Sequence, residues 1–484
     1  MLNKYILYFS ITDKILSKLF FIIITLFSLK VSDKFYSYLM LFFVLANYFY
    51  EISSLSIPKI FNSFYKISGP KKLSILAGTN LYISFFLLFI FSLVLNFNKN
   101  LLINIFDISN ISFYSAFIIL GFSIFLNELI NQYTFLKFNH LKIYIYDILT
   151  LIIIFIVFII AFLKFNFLFE QKIFSIILYY AVLQMTFKLI KLFLFKSDII
   201  FNFKKIYLKN DLNEMINISK LILPILIISL LLLSQLNINR FIILYFEDHS
   251  SFAKFIFHIQ VIELCSIFFM AIHQLSDPKI SFLTRNFQKT SFKVLCNKLF
   301  NIFFSILPFL LLVIFFIINE LIQILNINIK IELSLFLILS VNFCLIYFFF
   351  TIYQYLIMIN ERRFLIKVVF SSLLVNVILS FILTKFFSIV GLAFANLISN
   401  LFLFSICNYH TNFFFLRKKD VYKLFLSTLR FFIVIIFLSF YYKIFTYENI
   451  FITVFLKIIY ISTIFLISEM LISNKYRIFY MLNS

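Results

Sequence analysis

The chain has 484 residues, of which 63% are hydrophobic and 13% are charged, and its mean hydropathy is +1.06. No soluble domain of this size has such a composition, so the sequence predicts an all-α membrane protein. The formal net charge is +22, with 76 Phe, 4 Gly and no Trp. Because Phe, Ile, Lys, Asn and Tyr have AT-rich codons, the excess of lysine is partly a codon effect and does not indicate a nucleic-acid partner.

The apolar runs predict about fourteen transmembrane helices, since a bilayer-crossing helix needs roughly 20 mostly apolar residues. In chain order the predicted spans are 11–30, 36–56, 73–95, 112–134, 143–163, 173–195, 217–237, 252–274, 300–318, 334–356, 364–384, 386–409, 421–441 and 450–472. The first run lacks a small-residue cleavage site and is interpreted as a retained span. The alternative is twelve spans, if the eleventh and twelfth predicted spans, or the thirteenth and fourteenth, are misassigned.

The orientation of the spans follows from the distribution of lysine and arginine. Predicted inner loops hold clusters such as Lys71-Lys72, Lys204-Lys205 and Arg362-Arg363, whereas predicted outer loops hold few basic residues, several balanced by acids. Codon bias alone would spread lysine evenly, so the alternation indicates topology. We expect both termini to be cytoplasmic and the chain to lie in a bacterial cytoplasmic (inner) membrane.

A short internal repeat suggests how the spans are grouped. The segment 55–60 (LSIPKI) recurs with one change as 275–280 (LSDPKI), in each case where an apolar run gives way to a loop. The copies are six helices apart and therefore share one orientation, as in a parallel repeat. The predicted organisation is two pseudo-symmetric six-helix lobes plus two extra C-terminal helices. Its parts are listed here: 1–195 (N-lobe), 196–216 (cytoplasmic linker), 217–410 (C-lobe) and 411–484 (spans 13–14 and tail).

Several functions are disfavoured by what the sequence lacks. No predicted loop exceeds about 25 residues, which leaves no room for a water-facing catalytic domain. There is no Walker-type nucleotide loop, no channel-filter motif and no Cys or His ligand spacing. We therefore expect a non-enzymatic protein without cofactor or metal.

Four stretches resemble motifs of a known superfamily. They are 221–224 with 234–243, 249–256 with 274–281, 32–38, and 387–395, which includes Gly391. Together they resemble the multidrug/oligosaccharidyl-lipid/polysaccharide exporter superfamily, and within it the O-antigen and polysaccharide-unit flippases. Asn239 stands where the family usually has Asp, and Ser37 stands in place of a glycine.

The resemblance implies a transporter that flips a polyprenyl-pyrophosphate-linked oligosaccharide, an O-antigen or capsule repeat unit, from the inner to the outer leaflet. The expected partners are the bilayer, the lipid-linked oligosaccharide, and a polysaccharide polymerase with its assembly proteins, but no nucleic acid. A multidrug/cation antiporter of the same fold is one alternative. A membrane polysaccharide polymerase or acyltransferase is another, although it would need an outer catalytic loop.

Ionisable residues within spans are the candidate site residues, because each costs about 2.5–3.5 kcal/mol on insertion scales. Lys18 and Lys220 occupy equivalent places in the two lobes and would attract a pyrophosphate, or their side chains extend to the inner interface. Glu51 and Glu263 are candidate coupling or cavity acids. Glu263 would lie near mid-bilayer, where it faces a cavity or a structural partner.

Further candidates lie in the second half of the chain. His258 would share the face of Glu263, or it is structural. Arg240 ends the seventh predicted span, where it binds sugar or pairs with Glu247 or Asp248. Arg430 would hold the lipid phosphate, as the likeness to lipid-linked peptidoglycan-precursor flippases implies, or would pair with another helix. Pro224 is the candidate hinge because it removes a backbone hydrogen bond.

Overall fold

The computed structural model describes most of the chain up to Asn412. The described residues are 2–55, 80–81, 83–90, 93, 111–136, 140–165, 169–194, 208–266, 289–327 and 329–412. Every regular element in these ranges is helical, and contacts divide the chain into two compact units, Met1–Arg240 and Phe241–Ser484.

The helices follow the apolar runs of the sequence. They are α1 (Leu2–Val31), α2 (Asp33–Ser54), α3 (Ile111–Leu136), α4 (His140–Phe165), α5 (Phe169–Leu194), α6 (Leu208–Phe246), α7 (His249–Glu263), α8 (Lys289–Ile324), α9 (Leu333–Met358) and α10 (Arg362–Thr411). Within the described residues, six stretches are long and apolar enough to cross a membrane: Asp33–Ser54, Phe113–Asn131, Ser175–Leu194, Ile222–Phe246, Leu333–Ile357 and Arg362–Thr411.

Predicted spans and described helices agree in order and position. Helices lie at eleven of the fourteen predicted places, and the described residues 83–90 of the third predicted span are also helical. The last two predicted spans, 421–441 and 450–472, lie outside the described residues. The total of fourteen therefore stays a prediction.

In the first unit, α1 packs against α2 and α4, while α3 packs against α2 and α5. The start of α2 is fixed by Ser32, whose side chain accepts a hydrogen bond from the Phe35 amide at 3.1 Å. The α2–α3 contact is close because of Gly121. A Cβ atom there would lie 2.6 Å from the carbonyl oxygen of Ala46, so only glycine lets these helices approach as they do.

In the second unit, α9 packs mainly against α10 and also contacts α7. Although α10 is assigned as one helix of 50 residues, Ser388 inside it has φ 51° and ψ −137°, which is not helical. Three contacts join residues before Ser388 to residues after it. Gly391 lies beside Leu383, Ser372 Oγ donates to the Ser399 carbonyl at 2.8 Å, and the Phe364 and His410 rings stack 4.1 Å apart.

These pairs lie at steadily increasing distance from residue 388, so α10 is an antiparallel hairpin. We call residues 362–387 its first arm and residues 389–411 its second arm. The prediction of two helices here is confirmed. The predicted division at Thr384-Lys385 is wrong by about one turn, because the chain reverses at Ser388, where positive φ and the absent side chain of Gly391 permit a tight turn.

The reversal makes Ser388→Gly a stabilising substitution. The backbone at Ser388 has a conformation that glycine adopts readily and serine adopts at a cost of about 1–3 kcal/mol. Because glycine also has more freedom in the unfolded chain, we expect a net gain of about 1 kcal/mol in the free energy of unfolding. Denaturant titration of the purified protein measures it. Ser371→Gly, within the first arm, is the control and should destabilise; a loss of stability in Ser388→Gly would contradict the turn geometry.

Two other boundaries differ from prediction. Residues 196–207 of the predicted linker lie outside the described residues, but α6 begins at Leu208, within that linker. At its other end, α6 continues past Arg240 to Phe246, because residues 241–246 are an apolar run that can extend the helix. Arg240 is therefore more than one turn inside the helix and does not end it.

Candidate functional site

Of the predicted cationic residues, the structure describes the side chains of only two. Lys18 is half-buried within α1, and Arg240 is half-buried within α6. Arg240 lies within electrostatic range of Tyr48, whose hydroxyl donates a hydrogen bond to Ser234 Oγ at 3.2 Å. Lys220 lies in α6, but its side chain is outside the described set.

Arg430 also lies outside the described residues. Pro224 lies inside α6, and the helix runs through it to Phe246. Asp248, one of the acids expected to pair with Arg240, caps α7: its carboxylate accepts the Ser251 amide at 2.8 Å, and this hydrogen bond lowers the pKa of Asp248. The carboxylate is therefore ionised at neutral pH. Its negative charge interacts favourably with the positive N-terminal end of the α7 dipole.

The two predicted acids occupy different settings. Glu51 is 8% exposed, in the last turn of α2, and Tyr50 beside it lies within electrostatic range of both Glu51 and Glu128 of α3. Glu263 is the last α-helical residue of α7, and the next two amides bond to carbonyls three residues back, a tighter turn than an α-helix. An acid at a helix interruption within a predicted span is typical of a functional position.

His258 is buried and bonded on both sides of its ring. Its Nδ1 lies 2.6 Å from the Lys254 carbonyl oxygen, and its Nε2 accepts a hydrogen bond from the Glu332 amide at 2.9 Å. Because Nε2 accepts, Nδ1 carries the proton and the ring is neutral. The Lys254 ammonium also forms an ion pair with Glu332. These contacts connect α7 to the start of α9, which is a structural role for His258. A substrate contact at His258 stays a prediction.

A buried charge cluster in the first unit was not among the sequence-derived candidates. Lys191 of α5 is fully buried, and its Nζ donates to both carboxylate oxygens of Asp147 in α4, at 2.7 and 2.8 Å. It also donates to Asn127 Oδ1 at 2.8 Å and Asn131 Oδ1 at 2.6 Å, both on α3. Lys188 Nζ lies 3.3 Å from Asp147 Oδ1 at the edge of the cluster.

The cluster lies at one end of the first unit. Asp147 is in the N-terminal half of α4, whereas Asn127, Asn131 and Lys191 are in the C-terminal halves of α3 and α5. Asp13, in the N-terminal half of α1, also interacts electrostatically with Lys191. The loops at this end are those that the lysine distribution predicts to be cytoplasmic.

The sequence contained part of the signal for this cluster. Lys188, Lys191 and Asp147 all fall within predicted spans, where ionisable groups are costly. The pairing could not be read from the sequence, because Asp147 and Lys191 are 44 residues apart on different helices. Sequence spacing identifies partners within one helix, at three or four positions, but not between helices.

The second unit has an uncharged counterpart. Asn400 of the second arm donates to Asn342 Oδ1 of α9 at 2.7 Å and to Asn396 Oδ1 at 2.9 Å. In the first arm, Ser380 Oγ donates to Asn376 Oδ1 at 3.1 Å. All five side chains are buried. The Asn400–Asn342 hydrogen bond joins the second arm to α9 in an apolar setting, whereas the other two each lie within one helix.

Comparison with solved structures identifies the fold as that of a class of membrane transporters. The chain is similar to a structure described as lipid II flippase MurJ in an inward closed conformation, with 16% identity, a TM-score of 0.56 and coverage of 96% of both chains. It is also similar to the MATE transporter VcmN of Vibrio cholerae in its bent form, with 12% identity, a TM-score of 0.54 and coverage of 88% of this chain and 98% of that one.

A mutant of the same VcmN transporter gives a TM-score of 0.57 at 11% identity, over 84% of this chain and 94% of that one. No family model and no curated protein matches the sequence. The chain thus has the all-helical fold of the MurJ and MATE exporters, and the predicted superfamily resemblance is confirmed for the fold. These structural neighbours are transporters and not enzymes.

Proposed function

We propose that this protein is an inner-membrane transporter that flips a polyprenyl-pyrophosphate-linked oligosaccharide, such as an O-antigen or capsule repeat unit, to the outer leaflet by alternating access. The observation that carries the proposal is the fold shared with the lipid II flippase MurJ over 96% of both chains. The lysine-rich predicted inner loops support the proposed orientation, in which both termini are cytoplasmic.

The proposed architecture is a pair of six-helix lobes, spans 1–6 and 7–12, joined by the linker 196–216 and followed by spans 13 and 14. The repeated 55–60 and 275–280 segments support a parallel relation between the lobes. Both termini are cytoplasmic in this arrangement.

The proposed mechanism assigns a role to each predicted residue. Lys18 and Lys220 attract the pyrophosphate at the inner mouth of the cavity, and the lipid tail stays in the bilayer. Glu51 and Glu263 couple the cycle to a cation gradient or the membrane potential. Pro224 serves as hinge.

The remaining contacts are proposed for the later part of the cycle. Arg240 and His258 line the outer half of the path that the sugar takes. Arg430 holds the lipid phosphate beside the C-terminal spans. A polysaccharide polymerase and assembly proteins receive the flipped unit.

Deletion of the gene tests the proposed function. If the protein is the flippase, lipid-linked repeat units should accumulate on the cytoplasmic face and surface glycan should be lost, and a plasmid copy should restore both. Fractionation and lectin labelling of intact cells measure these changes. Normal surface glycan in a deletion strain without a redundant homologue would contradict the proposal.

Charge reversal at the two proposed pyrophosphate lysines gives a residue-level prediction. A charge-assisted hydrogen bond contributes about 1.5–3 kcal/mol, so Lys18→Glu or Lys220→Glu should each lower export roughly tenfold or more at unchanged protein level. Surface glycan and immunoblots of the same cells provide the measurement. Lys385→Glu, at an exposed position of the hairpin, is the matched control. Full export in both lysine variants would remove these residues from the site.

A multidrug/cation antiporter is the second candidate. It is favoured by the likeness to the MATE transporter VcmN and by the acids Glu51 and Glu263. Cells that overproduce the protein would then extrude a cationic dye such as ethidium, with normal glycan in the deletion strain. The two tests together separate the candidates.

A further inference from the structure

The charge cluster in the first unit has an unusual arrangement of oxygens. Four oxygen atoms, from Asn127, Asn131 and both carboxylate positions of Asp147, surround Lys191 Nζ at 2.6–2.8 Å. An ammonium group has only three protons, so four contacts exceed what it can donate one by one. At least one proton is therefore shared between two oxygens, and the ammonium occupies a shell of four oxygen atoms.

Such a shell is also what a monovalent metal ion requires. Potassium sites in membranes replace the hydration shell with carbonyl oxygens, and ammonium and potassium ions have similar radii. Here two amide oxygens and one carboxylate provide neutral ligands and a single negative charge. The four atoms come from α3 and α4, and the ammonium enters from α5.

We propose that Asn127, Asn131 and Asp147 form a monovalent-cation site whose resident cation is the protein's own Lys191 ammonium. The side chain of Lys191 is fully buried and Asp147 is 7% exposed, so the site is closed to solvent. Asp147 and Lys191 balance each other in charge, and the peripheral Lys188 and Asp13 add one further charge of each sign.

This site has a consequence for energy coupling. While Lys191 occupies the oxygen shell, an alkali ion cannot bind there. An external cation that drives transport would therefore bind at other acids, such as Glu51 or Glu263. The inference does not depend on the identity of the transported substrate.

Removal of the resident ammonium tests the proposal. Lys191→Ala leaves the four oxygens and frees the space of the side chain. Thermal unfolding of the purified full chain in lipid nanodiscs is followed by far-ultraviolet circular dichroism at constant ionic strength in choline, sodium, potassium or methylammonium chloride. In choline, we expect the variant to melt roughly 5–10 °C below the parent, because Asp147 loses its buried partner and keeps only the partly exposed Lys188.

A cation site predicts that sodium, potassium or methylammonium raises the melting temperature of Lys191→Ala in a saturable manner, by more than the same salt changes the parent. Lys188→Ala, which removes the peripheral lysine, should show no added response. Asp147→Asn/Lys191→Ala should melt close to the parent in all four salts, because the uncompensated charge is gone. If Lys191→Ala responds to none of the small cations, the oxygen shell is a plain ion pair and the proposal fails.

Poor folding of Lys191→Ala does not leave the question open. In that case the accumulation of each variant in membranes is compared with that of the double variant. Methylammonium chloride in the growth medium should then raise the accumulation of Lys191→Ala. Recovery in the double variant alone, without a response to methylammonium, indicates a plain ion pair and overturns the proposal, as does equal loss in both variants.

Discussion

Asp147→Ala is expected to lower the free energy of unfolding by about 3–5 kcal/mol, because it leaves the Lys191 ammonium buried without its counter-charge. Lys191 has no exposed surface and donates to both carboxylate oxygens of Asp147. The two asparagine oxygens that remain cannot neutralise the charge. Denaturant titration of the purified protein, followed by circular dichroism, measures the loss.

The matched control is Lys188→Met. Lys188 contacts the same carboxylate at 3.3 Å, but its side chain is 12% exposed, so its removal leaves Asp147 paired with Lys191. We expect a change below about 1 kcal/mol. Equal losses in the two variants would show that Asp147 and Lys191 are not the centre of the cluster.

Gly391→Ala is expected to destabilise the protein by about 3 kcal/mol or more. A Cβ atom at this position would lie 2.1 Å from the Leu383 carbonyl oxygen and 2.6 Å from its carbonyl carbon. Both atoms belong to the backbone, which cannot move aside without opening the hairpin, so the cost reaches the upper end of overpacking effects. The same denaturant titration, together with the level of protein in membranes, measures it.

Two controls bracket this result. Phe394→Ala changes a 44% exposed side chain of the same arm and should alter stability little. Gly121→Ala places a Cβ atom 2.6 Å from the Ala46 carbonyl oxygen in the first unit, and should also destabilise. A neutral effect of Gly391→Ala would mean that the arms of α10 do not meet at Leu383.

The positions of the helices were predictable from hydrophobicity, because a bilayer requires long apolar runs and few other structures satisfy the backbone there. The turn at Ser388 was harder to place. Residues 383–392 are apolar on both sides of the reversal, and the only charge nearby, Lys385, suggested a loop three residues early. What fixes the turn is a single positive φ and one glycine, which leave little trace in hydropathy.

The sequence predicted which types of residue form the candidate site, but not which residues contact each other there. The rule that ionisable groups in spans are costly singled out Glu51 and Glu263, which the structure describes as buried and at a helix interruption, respectively. The same rule applied to Asp147 and Lys191, but each buried charge is stabilised by a partner on another helix, which the rule does not identify. Hydrophobic periodicity orients a helix relative to the core, whereas the choice of partner depends on how the helices pack.

His258 illustrates the same limit. Its sequence position on α7 fits a substrate contact or a structural role equally well. Only the distances to the Lys254 carbonyl and the Glu332 amide reveal that both ring nitrogens are already bonded within the protein. A substrate contact at His258 would therefore require one of these two hydrogen bonds to break.

Transport by the purified protein tests the central proposal most directly. Vesicles that contain the protein and a polyprenyl-pyrophosphate-linked oligosaccharide are treated from outside with a glycosidase that cannot cross the membrane. A flippase should make the oligosaccharides of the inner leaflet accessible over time, whereas they should stay protected in vesicles without protein. Continued protection in vesicles that hold the folded protein and its required ion gradient would contradict the account, most clearly if the same vesicles transport a cationic dye.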